Sequence, residues 1–498
     1  MQAVQSLSLL EQPSQVDQAR PLCVDLDGTL IATDTLWEGV LRLARARPWL
    51  LFGALLSMLG GRARFKRFVM SRTTLDPAAL PYRQDLLEAL RTASERGRTI
   101  VLATAADRTL ADKIAEHLGL FAAVLASDGK VNLKASRKAA ALKDAYGERG
   151  FDYIGDAYAD LAIFGSAERA YLVNAGGGLR AAARRFSNVT LLSSRPSILK
   201  ALLRQLRPHQ WVKNALVVVP VLLAPGLPPP ETLLRAAVAA LAFSLCASAG
   251  YAINDLLDLD ADRAHHTKHK RPFASGALPV LYGPPLIVGL VIASFTAALA
   301  FIPAHFTFVL GLYFIGTVVY SLYLKHVLLL DVLVLAGLYT HRILSGGVAT
   351  GIPISAWLLG FSMFLFLSLA FAKRYVELAA LESGEKIKSR NYYHSDLQMV
   401  GSMGAASGYL AGLVFSLYVE EGAQSVIYRE PTVLWLVVPV LLYWVSRIWI
   451  FCARGQMHDD PVKFAIKDGV SVLCGGLIVS IALLARHPPH WLSVLLHG

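Results

Sequence analysis

Two acidic runs in this chain have the spacing of phosphate chemistry. The first, Asp25-Leu26-Asp27-Gly28-Thr29, follows the apolar triplet Leu22-Cys23-Val24. A carboxylate at the end of a strand, a second one two residues on and a glycine that permits a turn suit phosphoryl transfer. One carboxylate attacks phosphorus and the other protonates the leaving oxygen. The second run, Asn254-Asp255-Leu256-Leu257-Asp258-Leu259-Asp260-Ala261-Asp262, ends a long apolar segment and leads into the basic stretch His265–Arg271. Charge at a membrane boundary is penalised unless it holds something. If the helix continues, Asn254, Asp258 and Asp262 recur at i, i+4 and i+8, and Asp255 lies three before Asp258. These side chains then share one face, with spacing suited to oxygen ligation of Mg²⁺. Because Mg²⁺ prefers few carboxylates plus substrate phosphates, a diphosphate is the natural third party.

The elements that must position the first run alternate between strand and helix up to about Asn188, which predicts an α/β domain. Thr104 ends the apolar run Ile100-Val101-Leu102-Ala103 and has the hydroxyl to bind a phosphate oxygen. Lys138 lies in a polar stretch and can neutralise phosphate charge. Lys134 is its rival, and the spacing to Leu142 and Tyr146-Gly147 favours Lys138. Gly155-Asp156, with Asp160 four residues on, follows the strand-like Tyr153-Ile154 and can complete a Mg²⁺ site. The interval 35–93 is mostly helical in pattern and interrupts the alternation, as an inserted cap does. Within it Pro48 to Gly60 is unusually apolar yet too short to span a bilayer. The plain expectation is a helix in the core of the cap; the other is an edge that rests on a membrane surface. Residues 1–19 are polar and expected to be disordered.

The 498-residue chain is 55% hydrophobic and only 17% charged, with the apolar residues concentrated after Asn214. That places it outside ordinary soluble composition. Its net charge of +12 sits in short loops and near the domain junction, which suits anionic headgroups and phosphorylated substrates rather than nucleic acid. Cys23, Cys246, Cys452 and Cys474 form no C-x-x-C pair, so neither a zinc site nor a disulfide framework is indicated. A basic segment followed by an apolar core is missing at the N-terminus, so no cleavable signal peptide is expected and the first domain is placed in the cytoplasm. The connection from Arg180 to Lys213 carries Arg184, Arg185, Arg195, Lys200, Arg204, Arg207 and Lys213 among apolar residues, which predicts a basic interfacial linker helix at 193–213, with a plain solvated linker as the alternative. Nine apolar segments follow, at about 214–228, 234–253, 281–302, 306–324, 327–346, 354–372, 399–419, 432–452 and 469–486. The first is weak, since its apolar run is half the usual spanning length. Arg263, Lys268, Lys270 and Arg271, then Lys373, Arg374, Lys386, Lys388 and Arg390, then Arg454, Lys463 and Lys467 fall in alternate loops, whereas the opposite loops hold Arg429. The positive-inside asymmetry puts the first domain and the Asp-rich run on the cytoplasmic side.

Further polar groups sit at the ends of these segments. Arg207-Pro208-x-Gln210-Trp211-x-Lys213-Asn214 opens the first, and Tyr320-Ser321-x-Tyr323-x-Lys325 closes the fourth. Asp331 and Arg342 lie in the fifth, and Lys373-Arg374-Tyr375-x-Glu377 follows the sixth. Such groups can grip a polyanionic headgroup while its tail stays in lipid. The plain alternative is snorkelling and topology, with Asp331 paired to Arg342 or Lys325.

Asp25-x-Asp27-Gly-Thr, Thr104, Lys138 and Gly155-Asp156 in this order resemble the haloacid dehalogenase superfamily of phosphotransferases over about residues 20–192. The resemblance implies Asp25 as nucleophile, Asp27 as acid and base, and Thr104 and Lys138 as phosphate ligands. Mg²⁺ would lie among Asp25, Asp156 and the Asp27 backbone carbonyl, with Asp160 in the same acidic motif. From about 195 to 498 the chain resembles the UbiA superfamily of intramembrane prenyltransferases, whose first Asp-rich motif is N-D-x-x-D-x-x-x-D. The usual second motif, D-x-x-x-D, is replaced by Lys373-Arg374-Tyr375-x-Glu377. That departure, the R-P-x-Q-W-x-K-N opening and the Asp262–Pro272 run look like the decaprenyl-phosphate phosphoribosyltransferase branch.

These resemblances imply a multidomain protein: an α/β Rossmann-like domain with a helical cap, then an all-α polytopic membrane domain at 214–498 of about nine transmembrane helices. In the branch, a polyprenyl phosphate attacks 5-phosphoribosyl diphosphate (PRPP), and the departing diphosphate is stabilised by Mg²⁺ on Asp255 and Asp258 with Asn254 or Asp262. Asp258 and Lys325 would be catalytic. Lys213, Asn214, Lys268, Arg271, Tyr320, Tyr323, Arg342, Lys373 and Arg374 would bind the phosphates. The expected whole is a bifunctional enzyme of a bacterial cytoplasmic membrane, whose first domain removes the 5-phosphate of the lipid product. The rivals are an aromatic prenyltransferase with an unrelated phosphatase, a first domain that binds phosphate without hydrolysing it, and a transporter.

Overall fold

Leu22-Cys23-Val24 is apolar at every position because both faces of its strand are covered. The computed structural model, which describes residues 10, 19–128, 131–382, 384–387, 390–422, 427–457 and 461–490, makes it β1 (Leu22–Val24). Five more strands follow: β2 (Ile100–Asp107), β3 (Ala123–Ser127), β4 (Asp152–Gly155), β5 (Ala170–Leu172) and β6 (Val189–Leu191). They form one parallel sheet in the order β3-β2-β1-β4-β5-β6. Side chains alternate across a strand. Leu22 and Val24 therefore enter one apolar cluster with Ile100, Leu102, Leu110 and Ile114, and Cys23 enters another with Val101, Tyr153 and Phe164. The chain runs outward from β1 through β2 to β3, then returns to β4 on the other side of β1. The carboxyl ends of β1 and β4 thus flank the point where strand order reverses, the usual place for a ligand in such sheets. Of the expected disordered stretch 1–19, only Leu10 and Ala19 are described, and Lys388 also lies outside the described residues.

The insertion after β1 carries α1 (Thr35–Ala46), α2 (Leu50–Met58) and α3 (Arg62–Met70), followed by α4 (Gln84–Glu95). Asp34 starts α1 by accepting from the Leu36 and Trp37 amides at 3.0 and 3.3 Å, an N-cap that satisfies two orphan donors. Leu43, Ala54, Phe65 and Val69 give the first three helices a small core of their own. By contrast α4 packs Leu86, Leu87, Ala89, Leu90 and Ala93 into the sheet's core, so it is a layer of the sheet although its sequence falls within the expected cap. Beyond β2, α5 (Arg108–Leu118) and α6 (Ser136–Tyr146) cover the sheet.

The chain divides into two units. Asn254–Leu286, which contains the Asp-rich run, groups with Met1–Leu206; Arg207–Ile253 groups with Ile287–Gly498. Among the described residues eight helices are long and apolar enough to cross a membrane: Pro230–Leu257, Val280–Phe301, Ala304–Leu322, Leu330–Thr350, Ala356–Ala379, His394–Glu421, Pro431–Ala453 and Gly469–Arg486. This is a multi-pass membrane protein. The weak segment at 214–228 is not among the eight. It forms a 3₁₀ helix, Pro208–Val218, and one α-turn, Val219–Leu223, bounded by prolines in sequence. Within the expected linker 193–213 the α-helix covers only Ile198–Gln205, capped by Ser197 and carrying exposed Leu199 and Leu203 beside Lys200 and Arg204.

Candidate active sites

The β-ladder extends one residue past β1, where the Asp25 amide donates to the Ile154 carbonyl at 3.0 Å. The Asp25 side chain is thereby fixed at the carboxyl edge, and its Oδ1 accepts from the Leu26 amide at 2.8 Å. Gly28 turns the chain with φ +77°, and a Cβ there would lie 2.2 Å from Asp156 Oδ2. Only glycine lets the loop come this close to the end of β4. Thr29 Oγ1 donates to Asp156 Oδ1 at 3.2 Å, and Asp27 Oδ1 accepts from the Thr35 amide at 2.9 Å, tying the loop to the start of α1.

Lys138, which α6 delivers, lies 3.0 Å from Asp25 Oδ2 and donates to Tyr153 Oη at 2.9 Å. Tyr153 in turn donates to Asp160 Oδ1 at 2.9 Å, and Asp160 Oδ2 accepts from the Asp156 and Ala157 amides at 3.2 and 3.0 Å. Asp160 therefore shapes the loop that carries Asp156. Ligand oxygens of Asp25, Asp156 and Asp160 all lie within 4.8 Å of one another. A compact set of hard oxygen donors fits a divalent cation such as Mg²⁺.

A cavity of about 500 Å³ opens over these groups, a size suited to a small-molecule ligand. Lys66, Lys134, Lys138 and Arg195 line it as cations, and Leu36, Trp37, Met58, Phe65 and Met70 form apolar wall. Thr104 lies beneath the surface, its Oγ1 accepting from the Ala106 amide at 3.0 Å; Ala105, Ala106 and Asp107 form the wall at that point. Burial raises Asp25 while Lys138 opposes the shift. Burial and the neighbouring Asp34 push Asp27 up to about 8, and burial with Asp25 pushes Asp156 up to about 7. Burial disfavours the Lys138 charge, but Asp25 and Asp160 outweigh it and raise its pKa.

Gly276 and Pro279, from the segment after the first long span, line the same cavity. With φ +72°, Gly276 approaches so closely that a Cβ would lie 2.0 Å from the Ala32 carbonyl oxygen. This segment is fastened to α1. Arg263 meets Glu38 through two contacts of 2.5 and 3.0 Å and donates to the Ala274 carbonyl at 3.3 Å. Arg42 reaches Asp260 at 2.6 Å, and Arg45 donates to the Leu257 carbonyl at 2.6 Å.

Within the Asp-rich run the helix does not continue unbroken. It ends at Leu257 and restarts at Leu259, with Asp258 at the junction. The Asp258 amide still donates to Asn254 O at 2.9 Å and the Asp262 amide to Asp258 O at 2.8 Å, so the i, i+4 relation survives the break. Arg271 Nη1 holds Asp255 at 3.1 Å and Asp262 at 2.6 Å, while Gln205 Nε2 donates to Asp255 at 2.8 Å. Burial raises the Asp262 pKa against the pull of Arg271. Carboxylates are also hard donors here, but two of them already carry a guanidinium, and Lys268 stands exposed on the short turn Lys268–Lys270.

In the second unit the structure corrects one expected partner of Asp331, Arg342. It is fully buried at the start of Leu330–Thr350, with Arg374 at 2.9 Å, Arg390 at 3.2 Å and Tyr392 Oη at 2.6 Å. Arg390 also donates to Tyr320 Oη at 3.2 Å, and Arg374 pairs with Glu377. Arg342 faces elsewhere, because its helix turns it toward Asn214 Oδ1 at 2.9 Å, Tyr313 Oη at 2.7 Å and the Leu338 carbonyl at 2.7 Å. Lys213 lies over the Tyr339 ring at 5.7 Å, and Arg342 over the same ring at 5.1 Å. The opening motif and Arg342 are thus brought together, as are Tyr320, Asp331 and Arg374. Lys325 is buried and Tyr323 exposed. Lys66, Arg195, Tyr153 and the Glu38–Arg263 pair escaped the sequence reading. Tyr153 looked only strand-like, and the others come together across intervals that no local spacing announces.

A HAD-family hydrolase from Salmonella enterica aligns with this chain at TM-score 0.27 and 15% identity, over 34% of this chain and 68% of that one. Protein y4nM of Sinorhizobium fredii is 38% identical over 477 residues, covering 94% of this chain and 92% of its own. The decaprenyl-phosphate phosphoribosyltransferase of Mycobacterium tuberculosis is 30% identical over 281 residues, covering 55% of this chain and 90% of its own. Residues 215–473 match the UbiA prenyltransferase family, and the chain belongs to it.

Proposed function

We propose that this protein carries out two consecutive reactions on one lipid at the cytoplasmic face of a bacterial cytoplasmic membrane. In the first, a phosphate oxygen of a polyprenyl phosphate attacks C1 of PRPP, the C1–O bond to diphosphate breaks, and a polyprenyl-phosphoryl-5-phosphoribose forms. The lipid phosphate is already anionic, so no strong base is required. Asp255 and Asp258, with Asn254 or Asp262, would hold Mg²⁺, which when bound offsets charge on the departing diphosphate. Lys213, Asn214, Lys268, Arg271, Tyr320, Tyr323, Lys325, Arg342, Lys373 and Arg374 are assigned to the phosphates. This reading is supported by the similarity to the mycobacterial phosphoribosyltransferase over nine-tenths of its length.

In the second reaction the soluble site removes the 5-phosphate. Asp25 attacks phosphorus and the P–O5 bond breaks. Asp27, whose raised pKa near 8 keeps a proton available at neutral pH, donates that proton to the leaving oxygen. Water then cleaves the aspartyl phosphate as Asp27 takes the proton back. Lys138 steadies the phosphate, while Thr104 holds the Ala105–Ala106 wall in place through the Ala106 amide. Asp25, Asp156 and the Asp27 carbonyl, with Asp160 behind them, would hold Mg²⁺, which when bound offsets the phosphate charge. The observation that carries this half is the Asp25–Lys138 contact at 3.0 Å inside the Asp25, Asp156, Asp160 cluster.

Full-length protein in membranes with radiolabelled PRPP, Mg²⁺ and decaprenyl phosphate tests both. We expect labelled lipid that depends on Asp258 and keeps its 5-phosphate only in Asp25→Asn. If no condition labels lipid, the transferase half fails in favour of an aromatic acceptor. If wild-type protein accumulates only the phosphorylated lipid, the phosphatase half fails.

A further inference from the structure

The helix α2 faces solvent where a cap helix should be buried. Trp49 is 71% exposed, Phe52 69%, Leu55 62%, Leu56 52% and Leu59 86%. Phe52, Leu55, Leu56 and Leu59 recur at i, i+3, i+4 and i+7, with Trp49 three residues before, so they form one continuous stripe. The opposite side of the helix is the one that packs, through Leu50, Leu51 and Ala54 against Leu43, Phe65 and Val69. A monomeric soluble surface rarely presents such a patch without a partner.

The charge around the stripe identifies that partner. From Gly39 to Leu75 the sequence holds eight basic residues and no Asp or Glu. Arg47 precedes the helix and Arg62, Arg64 and Arg67 follow it, all exposed. An apolar stripe with an aromatic at its edge, between flanks of one positive sign, fits the interface of an anionic bilayer. It fits a second protein copy poorly, because two such surfaces carry the same charge. The cavity over Asp25 begins beside this helix, since Met58, Arg62 and Phe65 are part of its wall.

We propose that α2 lies in the headgroup region of an anionic leaflet and so selects lipid-linked phosphate monoesters over water-soluble ones for the Asp25 site. The selectivity rests on the phosphatase reading above; the bilayer contact does not. The substrate's tail remains in the leaflet beside the stripe, and its phosphate enters past Arg62 and Lys66.

Full-length Leu55→Cys carrying a bimane probe, in nanodiscs with anionic lipid, tests the contact. The native cysteines are all buried, so the probe reports on one site. We expect quenching by brominated lipid and protection from iodide. Iodide quenching without lipid quenching overturns the proposal. So does a disulfide between the introduced thiols of two unlabelled Leu55→Cys chains, in place of lipid quenching. The functional arm uses Phe52→Asp combined with Leu56→Asp, neither of which lines the cavity. Lipid-phosphate hydrolysis should fall about tenfold or more, given the apolar area withdrawn from lipid, with p-nitrophenyl phosphate hydrolysis within about twofold of wild type. An equal fall in both overturns the selectivity. If the wild type hydrolyses neither compound, the phosphatase reading fails while the probe still decides the bilayer contact.

Discussion

Glu38 and Arg263 lie 225 positions apart and form a two-pronged ion pair with 1% and 7% of their side chains exposed. Removing one partner, as in Glu38→Ala, leaves the guanidinium buried with the Ala274 carbonyl as an acceptor. Breaking a buried pair in this way costs about 3–5 kcal/mol. At about 1.4 kcal/mol per factor of ten, local opening of the segment should become roughly a hundred to a few thousand times more frequent. Hydrogen exchange reads this directly, because the Asp262 and Ser275 amides donate to Asp258 and Arg271 within the fastened segment. Glu38→Ala should accelerate exchange at both, and Glu38→Leu with Arg263→Met should recover most of the protection, since a buried pair replaced by apolar groups is often neutral. Unchanged exchange in Glu38→Ala would refute the argument. So would a double variant no better than the single one, because the penalty would then not come from a stranded charge.

Gly28→Ala should keep the sheet intact but lose phosphatase activity, because the new Cβ collides with Asp156 and the left-handed backbone adds about 1–2 kcal/mol; a normal circular dichroism spectrum with phosphate release intact would count against it. Arg374→Met should lower the stability of the membrane unit by about 3–5 kcal/mol, since Asp331 is fully buried and loses one of its two arginines. The measurement is the thermal unfolding midpoint in detergent, and a wild-type midpoint contradicts the account. Mg²⁺ at a hundredfold over its dissociation constant should stabilise the protein by about 2.7 kcal/mol per site. Asp156→Asn should remove the soluble site's share of that gain in thermal unfolding, and a gain equal to the wild type's would place the soluble domain's ion elsewhere.

The soluble site was legible to the extent that its residues end strands. Asp25 and Asp156 follow short apolar runs, and parallel strands buried on both faces read as such runs. Lys138 could be preferred to Lys134 only by helix spacing; the structure places Lys138 3.0 Å from Asp25, and Lys134 lines the same cavity. The apolar segment Pro48 to Gly60 was ambiguous for a physical reason. Composition sets how much apolar surface a helix has, while the shape of its neighbours sets how much is covered, and α1 with α3 cover only one side of α2. The expected pairing of Asp331 with Arg342 fails for a related reason. Arg342 is in the same helix, but Asp331 and Arg342 are eleven positions apart, roughly three turns, too far to meet along one helix. The arginines that meet Asp331 come from Ala356–Ala379 and the loop beyond it.

The Asp-rich run shows most clearly where spacing stops being enough. Four acidic or amide side chains on one helical face look like a preformed metal site. Yet carboxylates buried to the extent of Asp255 and Asp262, 1% and 4% exposed, cannot stand unpaired in the protein without a large penalty. Arg271 supplies the countercharge, and it is itself one of the basic residues whose sequence pattern suggested substrate phosphate. The same side chain thus neutralises the carboxylates in this structure and is assigned to an anion in the proposed reaction. Those roles are compatible if an arriving diphosphate with its cation exchanges partners with the Arg271 pairs, which conserves charge at each carboxylate. Because the segment carrying Arg271 is fastened to α1 through Glu38 and Arg42, α1 also helps set where these groups stand. A defect in lipid labelling caused by a substitution in α1 therefore does not locate the transferase chemistry in the N-terminal domain.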